Sequence, residues 1–196
     1  MKLMTTLLFA ILAVPTFAGA ATWNIDPDHS NAQFKVQHMV ITYVRGNFPD
    51  VQGTVVLDDQ DITKSKVDVS ITAASLDTNV EKRDNHLKSP DFFDVEKYPA
   101  LTFKSKSVES NGNGELKVLG DLTIRGITRE VELQVSGPTQ SITDPWGNTR
   151  KGAQATAKVN RKDFGMTWNK TLDTGGLVVG DDVEISIEVE LIEQKG

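Results

Sequence analysis

Cysteine is missing from this chain altogether. Its absence excludes disulfides, thiol nucleophiles and thiolate-held metals in one step, so packing and hydrogen bonds alone must hold the fold. Histidine is scarce: His29, His38 and His86 are the full set, and none stands at a metal-ligand spacing such as His-x-Glu-x-x-His. We therefore expect no metal and no cofactor. A basic excess is also lacking. Lys and Arg number 21 against 27 Asp and Glu, for a net charge of −6, which argues against nucleic acid and against electrostatic docking on anionic membranes. No nucleophile elbow occurs. Ser30, His38 and Asp84 can be grouped on paper, but such residues co-occur in most chains of this length, and no catalytic residue is assigned.

Long apolar runs are missing too. The longest, Leu7–Val14, is too short for the roughly 20 residues of a spanning helix and is ended by Pro15. It follows Lys2 and precedes Ala18-Gly19-Ala20, whose small residues suit signal-peptidase cleavage. Residues 1–20 read as a signal peptide and 21–196 as a single domain, exported to the periplasm or secreted after cleavage at Ala20-Ala21. Losing Lys2 makes the mature chain one unit more negative. Repeats, linkers and low-complexity segments are not seen.

What the sequence has in abundance is alternation. Ala32, Phe34, Val36 and His38 share one face, with Gln33, Lys35 and Gln37 opposite. The same period of two runs through Gly53–Leu57, Val67–Ile71, Leu101–Phe103, Leu116–Ile124, Val131–Val135, Ala153–Val159 and Val183–Leu191. Each segment has one apolar and one polar face, the signature of an antiparallel sheet wetted on one side. Between them lie turn signals: Asn111-Gly112-Asn113-Gly114, Arg125-Gly126 and Asp144-Pro145-Trp146-Gly147. The pattern predicts an all-β fold, an eight-stranded antiparallel up-and-down β-barrel, since closure removes exposed edges.

One segment, residues 78–98, reads as helical. Thr78-x-x-Glu81 fits a capping box, and Ser89-Pro90-Asp91 fits the start of a second short helix. With Phe92, Phe93 and Tyr98 it is strongly aromatic, and we expect a cover lying against the barrel. On a helix the two adjacent Phe rings would point about 100° apart, so at most one would face the barrel squarely. Trp146, in its turn, is expected to pack against a barrel end, and His29 and His86 to cap turns or helix ends.

These residues resemble a known family. Trp23-x-Ile25-Asp26, His29-Ser30, Phe34-x-Val36-x-His38, Gly46-x-Phe48, Asp84-x-His86-Leu87-x-Ser89, Asp91-Phe92-Phe93-Asp94 and Tyr98-Pro99 occur in order. Gly120-Asp121-Leu122-Thr123-Ile124-x-Gly126-x-Thr128, Trp146-Gly147, Arg161-x-Asp163-Phe164-Gly165 and Val179-Gly180-Asp181-x-Val183 complete the set. The ordered set is similar to the YceI-like polyisoprenoid-binding family over the whole mature chain. The Gly-x-Trp opening of true lipocalins is absent, with Ala21-Thr22-Trp23 in its place. The resemblance implies a lipocalin-like barrel that holds a polyisoprenoid, isoprenoid quinone or other long-chain lipid in a tunnel. Transient contact with a membrane or membrane protein would go with that role.

The alanines are informative here. Ala153, Ala155 and Ala157 place three small side chains in a row on an inward face, inside a barrel barely wide enough for its own side chains. Either a tunnel runs past them, or bulkier neighbours (Phe34, Phe103 or Phe164) fill the gap; the residues leave the two readings even, and the resemblance favours the tunnel. Its expected lining is Phe34, Val36, Phe48, Val69, Ile71, Phe92, Phe103, Leu122, Ala153, Ala155, Ala157, Phe164, Trp168 and Ile185. His38 and Arg161, at the ends of inward faces, are the head-group candidates, against an alternative in which Arg161 forms a surface ion pair.

Energetics shape the expected role. Burying one CH₂ from water is worth about 0.8 kcal/mol, and a five-carbon isoprene unit roughly 4 kcal/mol. Several units reach the ceiling of non-covalent affinity, so exchange must be with membranes or proteins rather than with water. That suits a carrier, scavenger or presenter, not an enzyme. A quinone-holding accessory to redox chemistry is the alternative, and a lipid head-group enzyme the weaker one. The first expectation is simple to test: intact mass of exported protein should begin at Ala21, and a start within residues 1–12 would overturn the leader assignment.

Overall fold

The computed structural model describes residues 19–195, so the expected leader lies outside it except for Gly19 and Ala20. Eleven strands follow in order. They are β1 (Ala21–Ile25), β2 (Asn31–His38), β3 (Thr42–Phe48), β4 (Val51–Leu57), β5 (Lys66–Thr72), β6 (Ala100–Gly112), β7 (Glu115–Ile124), β8 (Ile127–Ser136), β9 (Ile142–Thr143), β10 (Thr149–Asn160) and β11 (Val179–Glu193). One α-helix, α1 (Glu81–Lys88), lies between β5 and β6.

The sheet closes on β11. One edge of this long strand carries β10, and the other carries β2 and then β1. β1 and β2 are therefore two halves of one strand, broken at 26–30. β3 and β4 are the matching halves of the next, since β3 pairs with β2 and β4 with β1. With each pair taken as one strand and β9 set aside as a short appendage of β10, the wall is an eight-stranded antiparallel barrel. That is the fold the alternation predicts. Gly112, Asn113 and Gly114 take positive φ in the β6–β7 hairpin, and Arg125 and Gly126 do so in the two-residue β7–β8 turn, as their residue types suggest.

The helical segment is shorter than expected. Thr78 does not cap it: its hydroxyl donates to Asp84 Oδ1 and accepts from Arg83 Nε, while the residue at the cap position is Val80, with no side-chain bond. Ser89-Pro90-Asp91 starts no second helix. Residues 89–98 form successive turns, with the Phe92 and Asp94 N–H groups both donating to Ser89 O and Asp94 at φ +50°. The tertiary reason is aromatic. Phe92 and Phe93 both border the cavity, with the Phe93 ring edge-on to Phe48 at 5.4 Å and the Phe92 ring tilted against Trp168 at 5.4 Å. Trp146 also departs from expectation. Its Asp144–Gly147 turn forms, with Gly147 N–H donating to Asp144 O at 3.0 Å, but the indole is 79% exposed.

Strand registers sort the loops into two ends. The β2–β3 turn, the 73–98 cover, the β7–β8 turn and the segment between β10 and β11 gather at one end, here called the covered end. Toward the other end, where β10 begins, Arg150 bridges the break between β1 and β2. Its Nη1 donates to Asp26 Oδ2 at 2.6 Å and also to Glu190, and its Nε donates to Asp144 Oδ2 at 2.6 Å. One cation thus ties β10, β11, the strand break and the 144–148 turn together. Burial pushes the Asp144 carboxyl up, but N–H donors from Asn148 and Trp146 and the Arg150 guanidinium hold it far below the usual carboxylate range. Asp26 is lowered too, the His29 and Arg150 bonds outweighing its desolvation.

A group whose folded pKa is depressed stabilises above its unfolded pKa and loses that contribution as pH falls. Melting temperature should hold steady near neutrality and drop below about pH 4. Asp144→Asn should melt lower at pH 7 and show a shallower acid slope. An unchanged slope in thermal melts from pH 7 to 3 would detach acid lability from this seam.

Candidate functional site

The barrel encloses a cavity of about 250 Å³, larger than the roughly 150 Å³ engineered apolar cavity that stays dry and takes up benzene. Inward side chains of every barrel strand line it, from Leu57 and Ile62 near one end to Phe92, Phe93 and Val179 at the covered end. Arg161 alone among the lining residues is ionisable.

The alanines explain only part of this space; glycines account for more. Gly46 lies directly across from Phe34 in the β2–β3 register, and the Phe34 ring rests on it so closely that a Cβ there would stand 2.6 Å from the ring. Gly120 receives the Phe103 ring in the same way, at 2.4 Å. Two large side chains that would otherwise fill the lumen are folded back against the wall. Phe164 does not border the cavity either, being buried after β10 at the covered end. The gap-filling reading of the alanine face therefore gives way to an open lumen.

Eleven of the expected lining residues border the cavity: Phe34, Val36, Phe48, Val69, Ile71, Phe92, Phe103, Leu122, Ala153, Ala155 and Ile185. Three do not. Phe164 is core. Ala157 is on the inward face, packed with Ala155 against the buried cluster of Phe103, Leu116, Val118 and Leu133, but it does not itself border the cavity. Trp168 sits above the lumen in an aromatic cluster, 5.4 Å from the Phe92 ring and 4.8 Å from the His86 ring by centroid. His86 thus joins the cover, its Nε2 2.9 Å from Asp91 Oδ2 and its ring edge-on to Phe92. Phe93, Leu87 and Val179 line the cavity without having been expected to. Phe93 and Val179 are placed by the turns at 89–98 and by the β11 bulge, which leave no periodic signal, whereas Leu87 lies on α1.

The head-group candidates fare differently. His38 ends β2 beside the mouth, half-buried and outside the lining. Arg161 is only 3% exposed, and its donors are already engaged. Nε donates to Gly180 O at 2.8 Å, Nη1 to Met166 O and Trp168 O at 2.5 and 2.9 Å, and Nη2 reaches Val179 O and Asp181 Oδ1 at 3.5 and 3.4 Å. Five N–H groups meet five acceptors, leaving none for a ligand. Arg161 is neither a head-group ligand nor a surface ion pair. It gathers the carbonyls of the 166–180 segment, and burial lowers its pKa from the ordinary arginine value.

Among the described residues one trio could approach a metal, Asp26, His29 and Glu190. Arg150 bonds both of its carboxylates, so a cation already supplies the charge that an ion would bring.

Comparison with known proteins places this geometry. A family profile described as the YceI-like domain matches residues 23–191. The chain belongs to the YceI-like family. Protein YceI of Salmonella newport (strain SL254) is 38% identical over 190 residues, covering 96% of this chain and 95% of that protein. Among solved structures, the YceI protein of Campylobacter jejuni is similar at TM-score 0.66 and 33% identity, over 81% of this chain and 90% of its own. Two more distant structures share the fold. BcnA of Burkholderia cenocepacia has TM-score 0.72 and 22% identity, over 85% of this chain and 98% of its own. A polyisoprenoid binding domain from Saccharophagus degradans has TM-score 0.65 and 12% identity, over 89% and 99%.

The ring-on-glycine arrangement makes a direct prediction about this YceI-like lumen. The atoms nearest a Cβ at Gly46 belong to the Phe34 ring and the Thr78 methyl, both side chains, so Gly46→Ala should swing Phe34 inward rather than break the wall. Stability should fall by about 1–3 kcal/mol in urea titration, and uptake of a fluorescent prenyl probe should drop severalfold. Undiminished uptake would show that the ring does not guard the lumen.

Proposed function

We propose that this chain is a non-catalytic carrier, in the periplasm or outside the cell, that holds a long isoprenoid-type amphiphile inside the barrel. The observation behind the reading is the lumen itself, a slender cavity with apolar walls along the whole barrel. Such a space offers dispersion contacts and water exclusion to a hydrocarbon chain and little to a polar solute. The polyisoprenoid-binding description of the structural relative from Saccharophagus degradans agrees with this ligand class.

The absence of catalysis follows the same reasoning. Arg161 faces the lumen with its donors engaged, and no carboxylate or histidine among the described residues borders the cavity. General acid–base chemistry on a bound chain would require titratable groups that converge on it. The signal-peptide-like pattern of residues 1–20 is the support for export. A ligand bound by chain burial cannot leave into water at a useful rate, so its source and destination are membranes or other apolar sites.

Organic extraction of purified protein followed by mass spectrometry tests the ligand class, and should return a stoichiometric prenyl-chain lipid. A phosphate-bearing chain and a quinone would be told apart by mass, and a chain-free extract from active export hosts would overturn the proposal. Ala155→Phe gives a second test, since Ala155 borders the cavity. Lipid content should fall at least tenfold with little change in melting temperature. Retained lipid with a stability loss of about 1–3 kcal/mol would describe an overpacked core instead.

A further inference from the structure

The turn joining β2 to β3 does not look like an ordinary hairpin tip. Met39 and Val40 are its central residues, at φ +53° and +65°, closed by Ile41 N–H donating to His38 O at 3.2 Å. Both central positions of this turn type call for a left-handed backbone, which Asn-Gly supplies without strain. A β-branched valine there is a true outlier. Strain of this kind persists where the side chain itself is needed, and what Asn-Gly would remove is a methionine and a valine.

Those side chains point into solvent. Val40 is 60% and Ile41 82% exposed, and Met39, Tyr43 and Leu177 are exposed beside them. The cluster is built rather than frayed: Met39 N–H donates to Val178 O at 2.8 Å, anchoring the tip to the segment that precedes β11. From Val36 to Val44 the chain carries no Asp, Glu, Lys or Arg. The tip stands at the covered end, and Val36, three residues before it, already lines the lumen.

We propose that the 39–43 tip inserts into the outer hydrocarbon of a phospholipid bilayer and docks the mouth of the barrel on its lipid source. The inference rests on the carrier reading and names the surface through which the carrier exchanges. The tip is convex and about two residues wide, far short of the roughly 800 Å² that each partner gives to a stable protein interface. A fluid phase accepts such a wedge without a complementary pocket. Polarity is graded along the hairpin in the order a membrane surface requires. Ile41 and Val40 lead, and Tyr43 follows with its ring under Lys35 Nζ at 4.4 Å. Lys35, ion-paired with Glu184 at 2.7 Å, and its register partner Arg45 come next. Arg45 lies four residues behind Ile41, or about 14 Å along an extended strand. The apolar part then matches the burial depth of roughly 5–10 Å typical of interfacial elements, with tyrosine and then cations at head-group level.

The lack of cysteine makes the test clean. Mature protein with the single change Ile41→Cys, labelled with an environment-sensitive nitrobenzoxadiazole dye, is mixed with phosphatidylcholine vesicles. Ile142→Cys, at a residue 65% exposed on β9 toward the opposite end, serves as the control. Emission should rise severalfold at position 41 and stay flat at 142. No rise at 41, as expected if the tip instead serves a protein, or an equal rise at both, overturns the proposal. A second variant, Met39→Asn with Val40→Gly, suits the turn and so spares the fold. It should take a fluorescent polyprenyl probe from vesicles at least tenfold more slowly, while binding the same probe from detergent as the parent does. An unchanged rate from vesicles overturns the proposal. Failure of the parent itself to bind probe from detergent would instead strike the carrier reading, and the dye measurement would still decide docking.

Discussion

An eight-stranded barrel has an interior that its own side chains just fill, and everything distinctive about this protein follows from keeping that interior open. Closure demands inward apolar residues on every strand, because the charged outer wall already faces water. Hollowness demands that those residues stay small or lie flat. Ala153 and Ala155 stay small on β10, opposite Val189 and Ile187. Phe34 and Phe103 lie flat, on Gly46 and Gly120. The rings keep the lumen apolar without blocking it, which aliphatic side chains of similar area could not do.

An open core gives up contacts that a filled one would use for stability, and without disulfides the compensation must come from elsewhere. Part of it lies in the wall: β10 and β11 pair without interruption from Arg150–Ile192 to Asn160–Asp182. Part lies at the strand break, where Arg150 joins three carboxylates from three places in the chain. A further part lies in side chains buried off the cavity, Phe164 after β10 and Leu76 before α1. The packed core is displaced to the ends and seams, and the middle is left to the ligand.

The wall and most of its lumen-facing positions were legible in the sequence because period-two alternation reports burial directly. What escaped detection has specific causes. β3 was hidden because its inward positions include Gly46 and Thr42, which carry no hydrophobic signal. β1 and β2 were not seen as one strand because the break at 26–30 is held by long-range bonds such as Ser30 with Glu190. The cover was overcalled as helix because capping signals are local, whereas the turns at 89–98 answer to the barrel beneath them. Arg161 shows the limit most clearly. Parity put it at the mouth correctly, but nothing in its neighbourhood of sequence shows that five acceptors converge on it from residues 166–181.

The two ends of the barrel are therefore unequal in how they can yield. Toward the far end, opening would break the Arg150 seam and its buried carboxylates together, leaving charges without partners. At the covered end, the N–H groups of Phe92, Phe93, Asp94, Val95 and Tyr98 all bond within 87–98. The cover meets the β7–β8 turn through Arg125 Nη1 and Phe92 O, and meets β3 through the mutual Asn47 and Asp77 pair. Moving it would expose aromatic surface but few broken backbone bonds. Exposed aromatic surface is costly in water and nearly free against hydrocarbon, where the same rings exchange one apolar contact for another. On the proposed carrier reading, a bilayer at this end would lower the cost of opening the cover, because the exposed rings would meet hydrocarbon rather than water.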